Sequence, residues 1–213
     1  MKKDKLLIVG SGELGQQIAH YAKVSGQYRV IGFIDDFQKK NTIIGEYQIL
    51  GNIDDIENIY AEGVFDKIII GIGYKHLRKR KEIYDRLSQN IPFATIIVAP
   101  AYIDETAVIE PGTIIYPGTI IDKKAHIGPN NIINLKATIA HNSVIGSSNF
   151  IAAGAIFAGF TTLGDCNMIG IGALIKDNTS IRNDILVGMG STVIRNLFKK
   201  GSYFGNPAKM LFY

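Results

Sequence analysis

The chain has 213 residues, 46% hydrophobic and 20% charged, which suits a globular protein with one large domain or two small ones. Its formal net charge is +4, but no dense Lys/Arg block or aromatic-interleaved basic stripe accompanies it; this argues against a nucleic-acid partner and leaves a solvated surface or attraction to a phosphorylated ligand. Cys166 is the only cysteine, so an intrachain disulfide is excluded and a reducing cytoplasm fits, while the apolar run in "MKKDKLLIVG" is too short for a secretory leader or a membrane span.

In chain order, residues 5–9 read as a strand that runs directly into Gly10-Ser11-Gly12-Glu13-Leu14-Gly15, and residues 14–24 read as a helix. This is a G-x-G-x-x-G pattern in its proper context, where backbone N–H groups at a helix start can hold phosphate; the alternative is simply a tight strand-to-helix turn. A second strand is expected over 29–34, ending at Asp35-Asp36, which supplies an acid about 20 residues after the glycines for a ribose or base. A solvated turn is the competing reading of these two acids. Residues 53–60 read as helix, 67–71 as strand, 76–89 as an amphipathic helix and 93–98 as a last strand.

Strands alternating with helices predict a Rossmann-like parallel α/β sheet over residues 1–100, with the boundary near 99–102. The segment is short for a full dinucleotide fold, so a truncated sheet holding a nucleotide-sugar fits better. At its second strand-to-helix corner, Gly71 and Gly73 permit close backbone approach, and Lys75 or Arg78 is the expected phosphate cation unless both belong to an exposed helix face. His20 and His76 carry no clear signal of function.

From Ile103 to Val193, sixteen aliphatic or Phe residues recur six apart without a break, and a mostly small residue such as Ala107, Thr113 or Ser143 stands four places after each. Neither a helical period of 3.6 nor a strand period of 2 produces this. A β-solenoid does: each unit is a short strand and a turn, three units close a triangular coil, and stacked coils bury the aliphatic column. Residues 101–213 are therefore expected to form a parallel β-helix.

With about eighteen residues per coil, Gly159 lies one coil above His141 and Lys123 one coil below. An imidazole beside an unencumbered glycine offers acyl transfer a base and an N–H donor for the oxyanion. The bland alternative is an exposed solenoid histidine. His126, in the variable last slot of its unit, reads as structural.

"GSGELG", "FIDD", "GIGYKHLRKR", "IAHNSVIG" and "GNPAK" (residues 205–209) together resemble the bacterial sugar O-/N-acetyltransferases of the sialic-acid and bacillosamine pathways, in particular the UDP-4-amino-sugar N-acetyltransferases and their perosamine relatives. The likeness covers nearly the whole chain. It implies a left-handed parallel β-helix, a homotrimer, acetyl-CoA as co-substrate between neighbouring solenoids, no metal, and a nucleotide-linked amino-sugar on the N-terminal domain.

Carried over by position, the resemblance makes His141 the catalytic base, Gly159 the oxyanion amide and Asn134 an active-site polar residue. Gly12, Glu13, Leu14, Gly15, Asp35, Asp36 and Gly73 would hold the nucleotide-sugar, and Ile171 and Met189 would touch acetyl-CoA. Two departures stand out. Asn142 replaces the acid that usually follows the catalytic His, so an amide oxygen accepts the Nδ1–H bond without adding charge. Phe150 stands where the family often has a second His near the acetyl group, and with Ile171 and Met189 it would touch acetyl-CoA.

The expected activity is acetyl-CoA-dependent N-acetylation of a nucleotide-linked amino-sugar, UDP- or dTDP-4-amino-4,6-dideoxy in type, for surface glycans. The rivals are O-acetylation of a sugar hydroxyl, a non-catalytic nucleotide-sugar scaffold and, last, an NAD(P)-dependent reductase, for which a solenoid offers no nicotinamide pocket.

Overall fold

The computed structural model describes residues 3–211. They divide into two compact units that meet at Val98 and Ala99. No helix among the described residues is long and apolar enough to cross a membrane.

The first unit is built on β1 (Asp4–Val9), whose Leu6, Leu7, Ile8 and Val9 are all buried. Burial on both faces makes it a central strand of a parallel sheet. It pairs in parallel with β2 (Tyr28–Ile34) on one side and β5 (Lys67–Ile70) on the other. Helix α1 (Glu13–Ser25) returns the chain between β1 and β2, burying Gly15, Ile18, Ala19 and Ala22 at helical spacing, and ends at Gly26 in the left-handed conformation. Short α2 (Ile56–Ala61) and α3 (Leu77–Leu87) supply Ile56, Ile83 and Leu87 to a core shared with Leu7, Val9, Ile68 and Ile70.

Three features differ from the sequence expectation. The stretch between β2 and residue 53, to which the sequence assigns no element, contains β3 (Ile43–Ile44) and β4 (Tyr47–Gly51), so the sheet order is β3-β4-β2-β1-β5 and its edge is an antiparallel hairpin. Strands this short, set among polar residues, leave no usable alternation. The expected helix over 53–60 begins as a 3-10 turn at Ile53–Asp55, where Asn52 and Asp55 form a capping box, and becomes α-helical only at Ile56. The expected strand over 93–98 is reduced to a bridge between Phe93 and Ile68 and a two-residue strand, Ile96–Ile97.

Gly15 is where strand and helix come closest. A Cβ there would lie 1.9 Å from the Gly10 carbonyl oxygen, and one on Gly71 would lie 2.7 Å from the Gly15 Cα. Gly15→Ala is expected to cost about 3 kcal/mol or more, because both neighbours are backbone and must move together. All described helices lie in the first unit, so a lower melting temperature in the helical circular-dichroism signal reads this out. An unchanged melting temperature would contradict the packing.

The second unit is a left-handed β-helix of short parallel strands that recur every six residues from Tyr102–Ile103 to Thr192–Val193. They stack in three sheets, and up to Leu174–Ile175 each strand pairs with the one eighteen residues on, as Thr138 with Ile156 and Ile139 with Phe157. The second residue of each pair faces inward, and from Ile115 onward these residues are buried. The small-residue position also points inward. Its Asn side-chain oxygens accept backbone N–H groups in a ladder: Asn149 N–H donates to Asn131 Oδ1, Asn167 N–H to Asn149 Oδ1 and Ile185 N–H to Asn167 Oδ1, each at 2.8 Å. An antiparallel pair, Gly201–Phe204 with Lys209–Leu211, ends the unit, and GNPAK forms the turn between them.

Candidate active site

His141 occupies a corner of the solenoid, two residues after the end of the strand Thr138–Ile139. Asn142 follows in the left-handed conformation, φ 59°, which turns the chain toward the next sheet. The coil above repeats the turn with Gly159 and Phe160, and the Phe160 N–H donates to the His141 carbonyl at 3.0 Å.

The imidazole lies against the bare Cα of Gly159. A Cβ there would meet His141 Cε1 at 2.6 Å, Nε2 at 2.8 Å and Nδ1 at 3.2 Å. Gly159 is not in the left-handed region; the position requires glycine because the histidine takes the space. Among the described residues the Gly159 N–H donates no hydrogen bond. His141 Nδ1 is 3.3 Å from Asn142 Oδ1, a long contact. The tautomer that donates from Nδ1 leaves the Nε2 lone pair beside Gly159. One exposed corner thus presents a proton acceptor and an N–H donor together.

The other expected solenoid residues lie elsewhere. Ile171 and Met189 stack one coil apart at a different corner, 58% and 75% exposed, and form an apolar ridge. Asn134 begins the same corner two coils below Gly170, half-buried, its Oδ1 accepting the Leu135 N–H at 2.7 Å. Phe150 is buried on the sheet face that precedes this corner and exposes little ring to a ligand. His126 Nε2 lies 2.6 Å from Glu110 Oε1 on an outer face.

In the first unit, a cleft of about 370 Å³ opens at the C-terminal ends of β1, β2 and β5, the usual ligand position of a parallel sheet. Its walls include Gly12, Asp35, Asp36 and Gly73. Glu13 and Leu14 belong to the first turn of α1 but not to these walls, and Gly15 is buried beneath Gly10.

Asp35 is committed: its Oδ2 accepts the Ser11 N–H at 2.8 Å and the Ser11 hydroxyl at 2.6 Å, and its Oδ1 accepts the Phe37 N–H at 2.9 Å. Asp36 Oδ1 accepts the Ile53 N–H at 2.9 Å. Partial burial opposes ionisation of Asp35, but the Ser11 bonds and the Phe37 amide outweigh it and hold the carboxyl below its usual 3.8. A depressed folded-state value stabilises the fold fully above pH 3.8, and that contribution is lost as pH falls through the lower folded value. Asp35→Asn should therefore lower stability at neutral pH and flatten the acid limb of the stability curve. An unchanged acid limb would contradict this role.

The cleft's cation is not one of those expected. His76 and Lys79 line it, and Lys75 and Arg78 do not, because residues 74–76 form a 3-10 turn and the α-helix begins only at Leu77. Sequence reasoning also missed Arg80 and Phe37. Arg80 is 0% exposed and donates to the Ile70 and Ile72 carbonyls, each at 3.0 Å, which ties the helix to the Gly71–Gly73 turn. Phe37 stands on the rim, 96% exposed. No cluster of His, Cys, Asp and Glu fit for a metal occurs among the described residues.

Residues 5–87 match the PglD N-terminal domain family. No curated protein sequence matches the chain. Among solved structures, the acetyltransferase domain of PglB from Neisseria gonorrhoeae FA1090 superposes with a TM-score of 0.89 at 24% identity, covering 98% of this chain and 100% of that one. The same domain in complex with acetyl coenzyme A gives 0.89 at 23% identity, covering 99% and 100%. PerB from Caulobacter crescentus, in complex with CoA and GDP-perosamine, gives 0.87 at 22% identity, covering 98% and 97%. At these identities the likeness establishes the fold of both units.

Proposed function

We propose that the chain is an acetyl-CoA-dependent N-acetyltransferase acting on a nucleotide-linked amino-sugar, UDP- or dTDP-4-amino-4,6-dideoxy in type, for surface glycan assembly in the cytoplasm. The observation that carries this reading is the corner where the His141 imidazole rests on Gly159. The bound ligands of the similar structures, acetyl coenzyme A with PglB and CoA with GDP-perosamine in PerB, support the choice of donor and acceptor.

In this mechanism the sugar amine attacks the thioester carbonyl carbon. The new N–C bond forms while His141 Nε2 accepts a proton from nitrogen. The Gly159 N–H stabilises the oxyanion. The C–S bond then breaks, and the departing thiolate regains a proton from the imidazolium. Preorganised donors and bases act without reorganisation at the moment of reaction. Asn142 Oδ1 takes the Nδ1–H without adding charge, which suits an amine, already a good nucleophile, better than a hydroxyl.

Acetyl-CoA would lie along the ridge of Ile171 and Met189, with Asn134 near its lower end. Within one chain that ridge and His141 occupy different corners, so a neighbouring copy would bring them together. An exposed apolar stripe on one face, Tyr102, Ile120, Ile156 and Leu174, supports self-association as a homotrimer. The nucleotide would occupy the cleft at Gly12, Asp36 and Gly73, with Lys79 toward its phosphates.

Free-thiol release from acetyl-CoA tests the reading, across UDP-, dTDP- and GDP-linked 4-amino and 3-amino sugars and their hydroxyl counterparts. Release with an amino-sugar and none with its hydroxyl counterpart is the expected result. Release with the hydroxyl sugar alone would establish an O-acetyltransferase, and silence throughout without acetyl-CoA binding a scaffold.

A further inference from the structure

Corner residues of the solenoid that carry a side chain and a positive φ follow a plain rule. Above and below the active site they are Lys124, Asn142 and Asn178, and at the other corners Asn130, Lys136, Ser148, Cys166 and Asp184. These are short, flexible or amide side chains, and Asn and Asp tolerate the left-handed region best. Phe160, φ 59°, is the one aromatic residue among the described residues with a positive φ, and it follows Gly159 directly.

A bulky ring in this conformation is strained relative to Asn. Burial does not compensate, because Phe160 is 54% exposed. What the ring has is the imidazole: Phe160 and His141 meet edge to face, centroids 5.2 Å apart and planes at 88°. The backbone bond from Phe160 N–H to the His141 carbonyl holds the two residues in register. The other side chain bonded to the imidazole, Asn142, reaches it only at 3.3 Å.

We infer that Phe160 is a positioning residue for His141. Its ring packs edge to face against the imidazole and biases the base toward its place over Gly159, a task that the long Asn142 contact performs poorly alone. Local strain is retained because it holds the reacting group in place. The inference rests on the proposed acetyl transfer for its kinetic consequence, but the placement of the imidazole is measurable without activity.

The experiment compares Phe160→Asn and Phe160→Tyr with the wild-type full-length protein. The chain has four histidines, and the His141 ring protons are identified in the NMR spectrum by their loss in His141→Ala. In Phe160→Asn the melting temperature should hold or rise, the His141 ring-proton shifts should lose their ring-current contribution, and kcat should fall about 10–100-fold with KM for both substrates within about twofold. Phe160→Tyr should restore both the shifts and kcat. Unmoved His141 shifts in Phe160→Asn would overturn the inference, and so would moved shifts with kcat intact. Absence of transfer by the wild-type protein would instead overturn the proposed activity, while the shifts still report whether Phe160 holds the ring.

Discussion

Replacing His141 with Ala should lower kcat by about 10²–10⁴-fold and leave the melting temperature unchanged. The side chain is exposed at a corner and contributes nothing to the buried aliphatic column, so the solenoid has no reason to loosen without it. Its neighbours are the Gly159 Cα, the Phe160 ring and the Asn142 amide, and the main-chain hydrogen bonds of all three residues run to backbone groups that remain when the imidazole is removed. In the proposed mechanism the base acts only as the amine loses its proton, so the loss is expected in kcat rather than in KM. Thiol release under saturating substrates measures it. A loss below about threefold would remove His141 from the mechanism, since general-base help is worth far more than that.

Gly159→Ala should be nearly as severe through a different physical route. The backbone at Gly159 lies outside the left-handed region, so Ala carries no conformational penalty. The new methyl would instead stand 2.6 Å from His141 Cε1 and 2.8 Å from Nε2, inside any allowed contact. An exposed imidazole can swing away from it cheaply, so folding should be little affected while the base leaves its place. Displacement by about 1 Å is enough to cost about 10²-fold in kcat. A Gly159→Ala protein with near wild-type kcat would mean that the imidazole does not work from the position seen here.

The solenoid was legible because burial repeats with the chain's own geometry. The inward residue of each short strand had to be aliphatic or Phe, so a period of six runs from Ile103 to Val193 and stacks at eighteen. That arithmetic alone brings Gly159 over His141. The polar interior was not legible: Asn131, Asn149 and Asn167 look like outliers in a small-residue column until each side chain is seen accepting the next backbone N–H.

In the first unit the central strand and the glycine turn were readable from burial and spacing, but the phase of α3 was not. In "HLRKRKEIYDRL" the start of the helix decides which cation faces inward, and the 3-10 turn before Leu77 selects Lys79 for the cleft and Arg80 for the core. Phe160 escaped for a similar reason. Nothing in "AGF" announces a left-handed ring against the imidazole of His141 in the coil below.

The account turns on His141 and Gly159 forming one working pair, and the Gly159→Ala, His141→Ala double variant tests this most directly. If the added methyl acts by displacing the imidazole, it finds empty space once the imidazole is gone, and Gly159→Ala should cost less than about threefold in kcat in the His141→Ala background. If the two losses instead multiply, the residues act independently, and the corner is not the assembled site argued for here.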